Sequence, residues 1–285
     1  MPLTAGSDDR MIVVSDISEA ASQFTVGVFV TTMLLARRWF EREFKPWNDR
    51  RPFPNEGLSY KDYSSTGPDL DGLRALMAIA NRCPGLLLSV VSPKGSQRVA
   101  SAKGDVKTHP ELSDFRNWSD PLFERLMRSS CAISIAMDQF YCHPERWNLL
   151  HDTDQLFEPP RRETAMLWLN SFVCVVREGE ITPMLLSTKE EVADSLFAKA
   201  LLGLPDVAAG GTGSGLNAWN TKYGLKMEQS VGADGDLKEK DETIVLWFAD
   251  GSRSLVKLIV SYGDEPDSGC VHLIGRALRG DDPGS

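Results

Sequence analysis

Met11-Ile12-Val13-Val14-Ser15-Asp16, followed after a short gap by Phe24-Thr25-Val26-Gly27-Val28-Phe29-Val30-Thr31-Thr32, decides the architecture of this chain. Both runs are rich in β-branched residues, the composition of buried strands. Ser18–Gln23 is too short to hold a helix between them, so the two strands return on one another as an antiparallel hairpin. The first reads as a central, buried strand that ends at Asp16.

Outward from the hairpin the apolar period changes. Met33–Phe44 carries apolar residues at helical spacing, and Pro46, Pro52, Pro54 and Gly57 then break the chain into a loop. Asp69–Arg82 reads as a helix with Leu70, Leu73, Leu76, Met77 and Ile79–Ala80 on one face, stopped by Pro84-Gly85 before a third strand at Leu86–Val91. Lys94–His109 is a polar surface excursion. Asp120-Pro121 suits a helix start, and helical periodicity runs over Leu122–Tyr141 until His143-Pro144. Trp147–His151 is a short strand that delivers Asp152 and Asp154. A helix at Arg161–Asn170, a strand at Ile181–Leu186 and a helix at Lys189–Leu202 follow, leading into Gly203-Leu204-Pro205-Asp206. Strands interleaved with helices give an α/β protein, a mixed sheet flanked by helices. Residues 1–10 are a polar tail and 11–230 the core. Val231–Lys240 is a linker rich in Gly, Asp and Lys. Beyond it come a helical or extended segment at Thr243–Phe248 and strands at Leu255–Tyr262 and Val271–Leu278. These read as a small C-terminal β-rich appendage, 231–285, packing through Leu255, Leu258, Val260 and the last strand.

At 285 residues, 42% hydrophobic and 25% charged, the chain has the composition of an ordinary globular protein. Its most apolar segments, Phe24–Ala36 and Ile133–Met137, are too short or too soon interrupted for a membrane span. Met1–Arg10 lacks the basic and apolar regions of a signal peptide. Five scattered cysteines, with no C-x-x-C spacing, read as reduced thiols, so the expected location is the cytoplasm. A net charge of −9 argues against a passive nucleic-acid coat. It leaves room for a nuclease, whose metal-binding carboxylates add negative charge of their own. Arg37, Arg38, Arg42, Lys45, Arg50 and Arg51 stand among Trp39, Phe40, Phe44 and Trp47, a pattern that fits the solvated face of an amphipathic helix better than a strand-binding surface.

Four aspartates fall where active-site carboxylates of α/β proteins usually fall. Asp16 closes the first strand, Asp152 and Asp154 follow the Trp147–His151 strand as D-x-D, and Asp206 lies in Leu204-Pro205-Asp206-Val207-Ala208-Ala209-Gly210-Gly211. The small residues of that segment would let a helix pack closely on a sheet. D-x-D alone is a weak signal, because surface turns are rich in Asp. Gly210–Gly215 is no phosphate loop: no lysine follows in the required position, and Leu216 breaks the G-x-G-x-x-G spacing. The four histidines show neither H-E-x-x-H nor paired Cys/His spacing, so zinc is not expected. His151 is a strand-end histidine satisfied by its neighbours, or a donor to a metal-bound water.

The order of these elements resembles the uncharacterised bacterial ribonuclease-H-like family whose first strand ends in Asp-Glu-Ser-Gly. In that family a Val/Gly-rich hairpin partner follows, here Phe24–Val30, and then an aromatic residue with Lys, here Ser59-Tyr60-Lys61-Asp62. The Pro-Gly-apolar strand is similar to Pro84–Val91, the acidic strand end to Leu149–Asp154, and the late Ala-Asp-Leu-x-Ala-Gly helix to Pro205–Gly210. The likeness spans about residues 11–220 and departs at the first motif, where Asp16-Ile17-Ser18-Glu19 puts Ile17 in place of the second acid.

The resemblance implies a ribonuclease-H-like sheet and a divalent-metal site, Mg²⁺ or Mn²⁺, held by Asp16, Asp152, Asp154 and Asp206. Glu19 would be a substitute ligand and Lys61 a group that orients a phosphate. In-line cleavage of a phosphodiester needs an activated water and neutralised oxygens, which metal ions on converging carboxylates supply. The expected activity is metal-dependent hydrolysis of nucleic acid. The alternative is an inactive binding module of the same fold, serving a protein partner in a larger bacterial assembly.

Overall fold

β1 (Met11–Glu19) and β2 (Gln23–Thr32) form the expected antiparallel hairpin, in a register that sets Asp16 opposite Gly27. The computed structural model describes residues 10–19, 23–51, 58–94, 104, 115, 117–140, 147–152, 155–176, 184–223, 238–252, 254–261 and 272–273. β1 is longer than its apolar run. Because β2 supplies ladder partners as far as Glu19, Asp16 lies inside the strand instead of closing it.

β3 (Gly85–Pro93) pairs antiparallel with β2, while β4 (Trp147–His151) runs parallel to β1 and β5 (Met184–Thr188) parallel to β4. β6 (Leu255–Ser261) is parallel to β3, and β7 (His272–Leu273) is antiparallel to β6. One mixed sheet results, in the order β5-β4-β1-β2-β3-β6-β7.

Helices cover both faces. On one side lie α1 (Met33–Trp39), α3 (Gly67–Ala80), α6 (Leu196–Tyr223) and α7 (Glu239–Ala249), against Ile12, Val14 and Phe29. On the other lie α4 (Asp120–Gln139) and α5 (Arg162–Val176), against Met11, Val13, Val28 and Val30. Alternate residues of each strand therefore serve opposite cores, as the pleat requires. α1 starts at Thr32, whose hydroxyl accepts the Leu35 N–H, and continues through a π-helical turn, Phe40–Phe44, into α2 (Lys45–Asn48). The basic strip is the solvated face of this unit. Trp39, Phe40 and Phe44 are buried, Arg82 pairs with Glu43, and Lys45 pairs with Asp49.

Two expectations need correction. The tail is not a separate appendage, because β6 extends the same sheet, with Leu255 and Ile259 entering one core and Val260 the other. The helix read over Lys189–Leu202 also has other bounds. Residues 189–194 form turns, and α6 runs unbroken from Leu196 to Tyr223 with Pro205 inside it. Several glycines weaken a helix intrinsically, each by about 1 kcal/mol relative to Ala. Here they permit contacts that outweigh that cost. A Cβ on Gly27 would collide with the Pro205 carbonyl, one on Gly210 with the Tyr60 ring, and one on Gly211 with Ile244. The close packing of this segment on the sheet was the part of the expectation that holds.

Candidate functional site

Ser15 pairs with His151, and His151 with Thr188, across three adjacent parallel strands. The next residues, Asp16, Asp152 and Lys189, therefore follow one another at a single level along the carboxyl ends of β4 and β5. Backbone bonds hold that level. The Asp152 N–H donates to Ser15 O at 3.1 Å, and the Lys189 N–H donates to His151 O at 3.2 Å. Brought over this row by α6, Asp206 completes the cluster.

Asp16 is 6% exposed. Burial pushes its carboxyl well above the usual carboxylate range, and the Asp206 charge, a hydrogen bond shared with Asp206 and the Asp152 charge push it the same way. Only the Ile17 backbone N–H opposes them. All of these but the last favour the protonated form of Asp16, and they include its hydrogen bond with Asp206. Asp206 also accepts the Tyr60 N–H at 2.6 Å. Asp152 is turned to Lys189, whose ammonium donates to Oδ2 at 3.0 Å. Burial works against that ammonium, but the Asp152 hydrogen bond and the charges of Asp152, Asp16 and Asp206 outweigh it and raise its affinity for a proton.

The cluster thus holds two pairings, Asp16 with Asp206 through a hydrogen bond and Asp152 with the Lys189 ammonium. Among the described residues no set of three carboxylate, imidazole or thiol side chains is close enough to surround a metal ion as it stands. Asp16, Asp152 and Asp206 nonetheless converge on one face, as the order of motifs suggests. Asp154 lies outside the described residues. Glu19 is not brought to the cluster. It is an odd step from Asp16 along β1, so it sits toward α4, where Arg125 and Lys94 pair with it. Ile17 packs against the same α4–α5 core, so the position of the second acid faces away from Asp16. Lys61 is exposed on the short 3₁₀ turn Tyr60–Asp62, with no described contact to the aspartates. His151 is buried on the Glu19 side of the sheet, its Nδ1 2.7 Å from the Ser15 hydroxyl and its ring edge-on to Phe157, so it faces away from the aspartates.

Several residues at the site carried no recognised signal in the sequence. Besides Lys189, they are Lys240 and Asp241, which meet the site through Tyr60, the aromatic residue of the Ser59–Asp62 motif. The Tyr60 hydroxyl donates to Asp241 Oδ1, and Lys240 lies 3.8 Å over the Tyr60 ring while donating to the Tyr63 carbonyl at 2.8 Å. Through these bonds α7 fixes the turn whose N–H meets Asp206. The available signal was positional: Lys189 follows a parallel strand, where α/β sites gather.

No protein-family model matches this chain, and no curated protein matches its sequence.

Proposed function

We propose that this chain is a divalent-metal-dependent phosphodiesterase acting on nucleic acid, built on a ribonuclease-H-like sheet. The strand order β3-β2-β1-β4-β5, with β2 alone antiparallel to its neighbours in that set, supports the fold reading. The observation that carries the activity is the Asp16–Asp206 pair, two carboxyl groups from a central strand and a packed helix, hydrogen-bonded to each other with Asp16 buried. Such a pair favours any cation that replaces the proton.

The candidate donors are of the kind Mg²⁺ or Mn²⁺ takes, and they would have to close around the ion. They are all carboxylate oxygens, and ions of this class keep several waters and need few protein ligands. Asp16 and Asp206 would hold the ion, with Asp152 turning from Lys189 to join them and Asp154 following in the chain. When bound, the ion would activate a water and neutralise charge on the phosphate. The protein's own part is to keep Asp206 aimed through the Tyr60 N–H and to hold Asp152 within reach. The thiols of Cys83, Cys131 and Cys174 are free, which suits a reducing cytoplasm, and no helix among the described residues is long and apolar enough to cross a membrane.

One observation favours the alternative of a catalytically inactive module that binds a protein partner: the acids of the cluster are already paired, Asp16 with Asp206 and Asp152 with Lys189. Melting and cleavage with and without Mn²⁺ separate the two. An enzyme gains melting temperature from Mn²⁺, since metal binds the folded state, and cleaves single- or double-stranded nucleic acid. Asp206→Asn should lose both the Mn²⁺ shift and about a hundredfold or more in cleavage. A wild-type protein that neither shifts nor cleaves overturns the enzyme reading.

A further inference from the structure

We propose that Lys189 is the phosphate-binding cation of this site and that, without metal, it is stored on Asp152. The inference rests on the metal-dependent reading above and assigns that site its contact to the substrate.

The argument is one of place. Lys189 extends the row that runs Asp16, Asp152, Lys189 across β1, β4 and β5. Its backbone N–H is pinned to His151 O, so the side chain starts from a fixed point beside the cluster. Its ammonium is 3.0 Å from Asp152 Oδ2, and its side chain remains 48% exposed. It can therefore leave Asp152 and meet a ligand from solvent without opening the core. An ammonium has three donors, and the described contacts use one of them, to Asp152. Lys61, the lysine suggested by the order of motifs, has no such anchor. Lys240 is buried and committed to the carbonyls of Tyr60 and Tyr63.

The exchange balances in charge. When Asp152 turns toward a divalent cation on Asp16 and Asp206, the carboxylate loses its lysine, and the lysine gains a free face aimed at the same cleft. A non-bridging phosphate oxygen can then accept from it in a charge-assisted bond. Lys189 and the metal thus compete for Asp152, while Lys189 and the metal cooperate on the phosphate.

That pairing of opposite signs is the test. Mn²⁺ affinity is read from the rise in melting temperature as Mn²⁺ is titrated into metal-free protein. Phosphodiester affinity is read from the anisotropy of a short fluorescein-labelled single-stranded oligonucleotide, DNA and RNA in turn, with Ca²⁺ as the oxygen-seeking ion. Lys189→Gln should bind Mn²⁺ several-fold more tightly, because a cation competing for Asp152 is gone, and bind the oligonucleotide about tenfold more weakly. Lys189→Arg should restore most of the oligonucleotide affinity, and Lys61→Gln should change neither reading. A merely structural lysine would weaken both affinities or neither. If Lys189→Gln binds the oligonucleotide as wild type does, while wild type takes up Mn²⁺ and cleaves, the Lys189 role falls and the enzyme reading stands. If wild type takes up no Mn²⁺, both fall.

Discussion

Ser15 and Asp16 are neighbours in β1, and His151 and Asp152 are neighbours at the end of β4, yet the sheet sends each pair to opposite faces. Toward α4 and α5, Ser15 and His151 meet at 2.7 Å in a closed polar contact lined by Phe157. Glu19, on that same face, is matched by Arg125 and Lys94. Toward α6 the next residues along are acids, and their crowding, with burial, favours the protonated form of Asp16. A single step of register separates a face where the acid Glu19 is matched by two basic groups from one where like charges are gathered. Structure alone would not select the second arrangement, because it costs stability.

Changes to the α6 face should show that cost and its supports. The largest effect is expected for Gly27→Ala, whose Cβ would strike the Pro205 carbonyl. Backbone cannot yield as a side chain can, so α6 must lift from the hairpin. Denaturant unfolding should register a loss of about 3 kcal/mol. Asp241, 4% exposed, depends on the Tyr60 hydroxyl. Tyr60→Phe should therefore cost about 1–3 kcal/mol by leaving a buried carboxylate short of a partner. It should also weaken cleavage about tenfold, through looser placement of the N–H that Asp206 accepts.

How much of this could be read from the chain depends on the range of the interaction. The β1–β2 hairpin, the face of α3 and the short β4 were legible because period and composition are local. The aspartates were legible because acids near the carboxyl ends of strands are conspicuous. α6 was not, since its glycines lower helix propensity and their reason lies in distant contacts with the sheet, Leu58, Tyr60, Ile244 and Val245. The tail's strand could be recognised, but its place beside β3 could not, because pairing partners are a property of the assembled sheet. Lys189 and Glu19 show the same limit in opposite directions. One joins the cluster through a rung shared by three strands, and the other is carried away from it by the pleat.

Two gentler experiments sharpen the contrast between the faces. In metal-free protein at neutral pH, Asp16→Asn should raise stability. The sign follows from linkage: a carboxyl whose folded affinity for protons is raised binds more protons folded than unfolded. Stability then falls as pH climbs above the ordinary Asp range, until the folded group itself ionises. Melting curves from pH 4 upward should show that decline in wild type and less of it in Asp16→Asn. The smallest effect belongs to Glu19→Gln. Burial acts against the Glu19 carboxylate, but hydrogen bonds and charges from Lys94 and Arg125 win and hold it below its usual range. Its contribution is therefore present at neutral pH and fades as pH drops through the acidic range. The loss at neutral pH should be at most about 1 kcal/mol, with cleavage unchanged.

The bond from Tyr60 to Asp241 also places the site in time. A ribosome releases the chain from its amino end, so Asp16, Tyr60, Asp152 and Asp206 all emerge before Asp241 and before the strand that flanks β3. Until α7 arrives, the turn that steadies Asp206 has no anchor, and Ile244 and Val245 are not yet there to cover the glycines of α6. A nascent chain can therefore carry every aspartate of the cluster while the cluster is still unset.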